Sequence, residues 1–170
     1  MTRKDFYKLY EAQYQREVER RDKLDARLQL PFAIMVVLVG FLSYMFQNKN
    51  PTINNIGSAI FWLLFVLSVI AIGFAFYFFR LSWFGHTDKL LPTAKTIEDY
   101  KKQLLDYYKE DENPNEKVSE YLEETLFNYY VEFSSVNAIN NDTRSYNIYR
   151  TTVSLTIAII LAFFPTSLII

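Results

Sequence analysis

Cysteine is absent from the 170 residues, which excludes disulfides and thiolate metal sites and leaves the redox compartment unread. Histidine occurs once, at His86, so the acidic residues lack the imidazole partner that a di-iron arrangement needs. The four glycines form no phosphate-cradling loop, and no P-loop pattern occurs. The net charge of −1 rules out the broad basic field of a nucleic-acid binder, and no direct nucleic-acid partner is expected. Charge is also missing locally, from three long runs, and these organise the rest of the chain.

The runs are PFAIMVVLVGFLSYMF from Pro31, GSAIFWLLFVLSVIAIGFAFYFF from Gly57, and TTVSLTIAIILAFFPTSLII from Thr151. As helix, the second is about 35 Å long, enough for a hydrocarbon core of about 30 Å. The first spans if it begins near Leu28, and the third is also long enough. The fold class expected is all-α: a helical membrane protein with three transmembrane helices and a cytoplasmic bundle of long helices. Its parts are an N-terminal cytoplasmic helix (1–30), spans at 31–47, 57–79 and 151–170, and a cytoplasmic helical hairpin (80–150). No cleavable signal peptide is expected, because the first apolar run follows a long charged segment and a second follows it closely. Arg16, Arg20, Arg21, Lys23 and Arg27 precede the first span, the segment from Arg80 through Arg150 holds nine Lys and Arg, and the turn at 47–57 holds only Lys49. The positive-inside rule therefore places the N-terminus and the 80–150 segment in the cytoplasm.

Residues 3–30 contain neither Gly nor Pro and predict a helix. Tyr7, Tyr10, Tyr14, Arg21, Leu24 and Leu28 recur at spacings of three and four, with Glu17 interrupting the series, a seam suited to packing along another helix. Pro31 predicts an angle between this helix and the first span. Thr96, with Asp99 three residues on, predicts the start of a helix that runs to about Lys109. Asn113, Pro114 and Glu116 predict the start of the next, with Val118, Leu122, Leu126, Tyr129, Phe133 and Val136 on its packed face.

Several groups are candidates for packing or chemistry. Ser68, Ala71 and Ala75, and likewise Ser154, Ala158 and Ala162, are small residues at helix-contact spacing in lipid. Arg80 and Trp83 end the second span as headgroup anchors. Asn137, Asn140, Asn141 and Arg144 belong to the densest polar cluster on an otherwise periodic helix. That cluster fits interhelical hydrogen bonds that fix the bundle, or a ligand or pore-lining ring in an oligomer. Glu116, Glu120 and Glu124 share a helix face that has hard oxygen ligands for a divalent cation, but such a run is read first as a solvated face. No Asp, Glu, His, Lys or Arg lies in a span, which argues against a proton-coupled transporter. No catalytic, cofactor or metal residue is assigned.

Arg80 and His86, with five residues between them, resemble the Arg and His spacing of HEPN ribonucleases, whose pair assists attack of a ribose hydroxyl on the adjacent phosphate. The match covers two residues at a membrane exit, and no enzyme is expected. The segment QREVERRDKLDARLQLP, the close hairpin of spans and the cytoplasmic helices after it resemble small membrane effectors of bacterial antiphage systems. These are the SLATT families and the pore-forming accessory proteins of some CRISPR systems. The third apolar run departs from their two-span layout, and no functional residue carries over. The resemblance implies a homo-oligomer in the bacterial inner membrane that forms a pore or perturbs the membrane on a cytoplasmic signal. The partners it implies are the bilayer, further copies of the chain, and a sensor protein or nucleotide signal. The alternative is a non-pore scaffold or sensor subunit that binds a partner protein through its cytoplasmic helices.

Overall fold

The computed structural model describes residues 2–48 and 56–163, and the described residues contain four helices and no strand. These are α1 (Arg3–Asn48), α2 (Ile56–Trp83), α3 (Ala94–Tyr107) and α4 (Pro114–Phe163). Helices α1, α2 and α4 are each long and apolar enough to cross a membrane. Most of the turn expected at 47–57, and residues 164–170 of the third run, lie outside the described residues. Contacts divide the chain into two units. The first holds the chain up to Arg21 together with Thr87–Asn141; the second holds Asp22–His86 together with the chain from Asp142.

The second unit packs three helical segments along seven-residue repeats. On α1 the buried positions are Leu24, Leu28, Pro31, Met35, Leu38, Leu42 and Met45, spaced alternately by four and three. On α2, Phe61, Ser68, Ala75 and Ser82 are buried at intervals of seven, and on α4 so are Arg144, Thr151 and Ala158. This is the repeat of coiled-coil packing, in which the underwound seam keeps facing its neighbours. Many of the inward residues are small. Ser68, Ala75, Ala158 and Ala162 have no exposed surface, and the Ser68 hydroxyl donates to the Ala158 carbonyl at 2.9 Å. Close approach of two backbones permits such a bond and requires small side chains at the crossing. Bulky apolar residues also cover the outside: Val37 is 72% exposed, and Leu63 and Ile160 are each 59% exposed.

Pro31 lies inside α1, buried in the seam, and the helix continues through it. The expected division at 30/31 is therefore not a helix boundary. A proline within a helix withholds one N–H, here the donor to the Arg27 carbonyl. The division at 150/151 falls inside α4, and the helix continues through 137–150 as the lack of Gly and Pro there allows. Helix α2 ends at Trp83; the Phe84 amide still donates to the Arg80 carbonyl at 2.9 Å, and Gly85 follows at φ 90°. That left-handed conformation is a usual helix stop and suits glycine, which has no Cβ to clash.

The first unit is aromatic at its centre. Tyr7 packs edge-on against Tyr130 at 5.4 Å, Tyr10 against Phe127 at 5.4 Å, and Tyr14 lies 5.7 Å from Tyr130. Glu17 does not interrupt the α1 seam; it is buried within it, eight per cent exposed. The packed face of α4 also differs from expectation. It passes through Tyr130, Ser134, Asn137 and Asn141, while Tyr129 and Phe133 stack on each other at 5.0 Å in half-buried positions. A 3.5-residue repeat selects that row, one residue over from the one expected. Helix α3 is capped three residues before the expected point. Thr93 is its N-cap, accepting from the Thr96 amide at 3.3 Å, and Asp99 pairs with Lys102 at 3.9 Å rather than closing a capping box. No residue of α3 is buried. Helix α4 begins at Pro114, as the sequence predicts.

Burial, then the neighbouring Tyr7 and Glu11, pushes the Tyr130 phenol up to about 12, and burial also raises Tyr7. The fold thus holds these protons longer than the unfolded chain, where a tyrosine ionises near 10. Their contribution to stability is complete below about pH 10 and is lost as pH rises toward 12. Absorbance at 295 nm is expected to show Tyr130 ionising last, together with loss of the first unit's helix; Tyr130→Phe removes that late step. A second expectation concerns the apolar helices. A Cβ on Gly40 would meet nothing within 4 Å. Gly40→Ala is therefore expected to raise stability by about 0.5–1 kcal/mol. Ala158→Leu, by contrast, overpacks the Ser68 crossing and should cost about 1–3 kcal/mol. Unfolding in detergent compares the two.

Candidate functional site

The polar positions of α4 were the sequence's strongest candidates, and each has partners of its own. In the first unit, Asn137 is three per cent exposed and clamps the segment after α2. Its Oδ1 accepts from the Lys89 amide at 2.8 Å and its Nδ2 donates to the Lys89 carbonyl at 2.9 Å. One side-chain amide thereby satisfies both backbone groups of a residue that belongs to no helix. Asn140 adds a bond from Nδ2 to the Thr87 carbonyl at 3.0 Å. The same segment is held from α1, where the Tyr14 hydroxyl accepts from the Leu91 amide at 3.1 Å.

Asn141 is fully buried and faces Glu17. Its Nδ2 donates to the Glu17 carbonyl at 2.8 Å and to Glu17 Oε2 at 3.0 Å, while Arg20 lies 3.5 Å from the same carboxylate oxygen. Sequence reasoning missed Glu17 because a carboxylate at a seam position reads as a break. Its spacing of three from Tyr14 and seven from Leu24 was the available signal. Asn141 Oδ1 and Asp88 Oδ1 are buried without a hydrogen-bond donor among the described residues.

In the second unit, Arg144 is five per cent exposed. Its Nε donates to the Ser82 carbonyl at 3.2 Å and its Nη2 pairs with Asp25. A buried guanidinium needs such partners, since an unpaired one costs several kcal/mol. Asp25 was not singled out by the sequence, because it stands beside the seam rather than in it. Asn147 and Thr151 continue the polar row inward, Thr151 bonding the Asn147 carbonyl at 2.9 Å.

Of the small residues, Ser68, Ala71, Ala75, Ala158 and Ala162 are buried between helices of this same chain, and Ser154 is half-buried. Arg80 and Trp83 are both exposed, and Trp83 lies against Phe79 at 5.6 Å. The His86 ring bonds the Leu81 carbonyl through Nε2 at 2.9 Å. Glu116, Glu120 and Glu124 are exposed, and no group of three His, Asp or Glu among the described residues is arranged to hold a metal. The arrangement is thus one of polar clamps, with side-chain amides and a guanidinium fixing backbone at element ends. No protein-family model, curated protein or solved structure matches this chain.

If Asn137 serves as a clamp, Asn137→Ala leaves the Lys89 N–H and C=O without partners and should cost about 1–3 kcal/mol. Hydrogen exchange is expected to accelerate at the Lys89 amide in that variant. Unchanged exchange there would point to a role other than holding the segment.

Proposed function

We propose that this chain is an integral membrane protein with three spans, acting as a membrane-anchored scaffold or sensor subunit whose remaining helices bind a partner protein. The observation that carries the reading is the apolar exterior of the second unit. Its helices cross on small residues such as Ser68, Ala75 and Ala158, among Met35, Leu38 and Phe61, while Val37, Leu63, Phe74 and Ile160 stand exposed. Water would penalise that surface, whereas hydrocarbon accepts it. The charge asymmetry favours the cytoplasmic side for the first unit, and the antiphage-like layout favours a bacterial inner membrane.

The scaffold reading is preferred because the described inward faces of a single copy are packed rather than open. Leu28, Met35, Thr151 and Ala158 close the inward faces with no exposed surface. The first unit, in turn, carries an element suited to rearrangement. No residue of α3 is buried, and two grooves of about 400 Å³ each lie beside it, one lined by Tyr100 and Tyr129 and the other by Lys101 and Leu105. Few buried contacts mean a low free energy of local opening. A partner's binding energy then need overcome little to displace α3.

One observation favours the second reading, a homo-oligomeric effector that forms a pore or perturbs the membrane. Thr152 and Thr156 are exposed along one outer face of α4. Several copies could turn that face toward a shared lumen, although both hydroxyls bond their own helix, to Ile148 and Thr152 carbonyls at 3.0 and 2.9 Å.

Two measurements decide. The chain should stay with membranes through alkaline carbonate extraction; release would end the membrane reading. Purified protein in potassium-loaded vesicles should produce no ion flux. Dose-dependent flux abolished by Thr156→Leu would replace the scaffold with the pore.

A further inference from the structure

Three arginines, one from each helical segment of the second unit, each border one end of an apolar run. Arg27 on α1 precedes Pro31 by one turn, Arg80 lies near the end of α2, and Arg150 immediately precedes the third run. All three are exposed. Side-chain contacts place them at one level. Phe32 stacks on Phe79 with centroids 5.8 Å apart, and the Arg150 guanidinium lies 4.0 Å over the Phe78 ring. Asp25, Ser82 and Arg144 meet farther from the apolar interior, two residues beyond Arg27 and Arg80 and six beyond Arg150. We infer that Arg27, Arg80 and Arg150 form a belt that binds anionic phospholipid headgroups in the adjoining leaflet.

Three features fit that partner. Arg150 is oriented before any lipid arrives, because Phe78 and Tyr146 lie at 4.0 and 5.4 Å from its guanidinium. Stacking uses the flat faces of the group, and its N–H edges are the part that donates to a phosphate oxygen. Next, the acid on α1 nearest Arg27 is committed elsewhere: Asp25 pairs with Arg144. Its charge is thereby balanced from within the bundle. Finally, the belt is set in exposed aromatics, with Tyr77, Trp83 and Tyr149 more than half exposed. Amphipathic rings favour the headgroup zone, where a ring is half in hydrocarbon and its polar tip is wet. Uncharged zwitterionic headgroups offer the same phosphate without net attraction, so the belt distinguishes the two lipid classes by charge.

The inference rests on the membrane reading, and the test separates the two. The 170-residue chain is reconstituted in vesicles of equal parts phosphatidylglycerol and phosphatidylcholine, then released in mild detergent for native mass spectrometry. Wild type is expected to retain phosphatidylglycerol over phosphatidylcholine by at least about fivefold, the gain from one arginine near an anionic headgroup. The R27Q/R80Q/R150Q variant should retain them about equally, and R27K/R80K/R150K should keep most of the preference. Equal retention by wild type overturns the belt without any variant, and a preference that survives the glutamine substitutions overturns the assignment to these arginines. Wild type that resists carbonate extraction yet shows no preference removes the belt and keeps the membrane reading. Wild type released by carbonate removes both.

Discussion

A guanidinium placed among three helices must find acceptors on all sides, and Arg144 finds them on two helices besides its own. Asp25 reaches it from α1 and the Ser82 carbonyl from α2. No slip of one helix past another by a turn preserves both bonds. The register of the second unit follows from this layer. With it set, Ser68 comes opposite the Ala158 carbonyl, and Phe32 comes opposite Phe79. Apolar side chains alone would fix such a register weakly, because one leucine or valine row resembles the next. A buried polar group supplies the specificity at a desolvation cost.

The first unit solves a similar problem by other means. Its non-helical segment after Gly85 has backbone groups to satisfy, and α4 supplies Asn137 and Asn140 to do it. Amides suit this task because each carries both a donor and an acceptor. Asn141 turns the same chemistry toward Glu17 and binds its backbone and carboxylate together. The polar stretch of α4 is thus a series of attachments, each to a different piece of backbone, set at the seven-residue rhythm that also runs through the apolar segments.

Much of this was legible in the sequence. Three uncharged runs show as three long apolar helices because length and composition suffice to mark them. Pro114 marks the start of α4 because its missing N–H is harmless there. The polar row at Asn137 to Arg144 was visible as a departure from apolar periodicity. What each residue reaches was not, since Lys89, Glu17 and Asp25 lie far away in sequence. Glu17 was misread because charge at a seam position looks like an interruption until its partner is known. The packed face beyond Leu126 was displaced by one residue because rows of period 3.6 and 3.5 diverge slowly along a 50-residue helix. Thr96 attracted the helix start through its spacing to Asp99, while Thr93, following Pro92, holds the extended backbone a cap requires.

Pro31 has one further consequence. A carbonyl whose helical donor is gone needs another, and hydrocarbon has none to give. In a bilayer the Arg27 carbonyl must therefore be met by water, a headgroup, a neighbouring side chain or a local adjustment of the helix. Whichever serves, Pro31 makes this turn of α1 the place where the regular backbone ladder alone does not suffice.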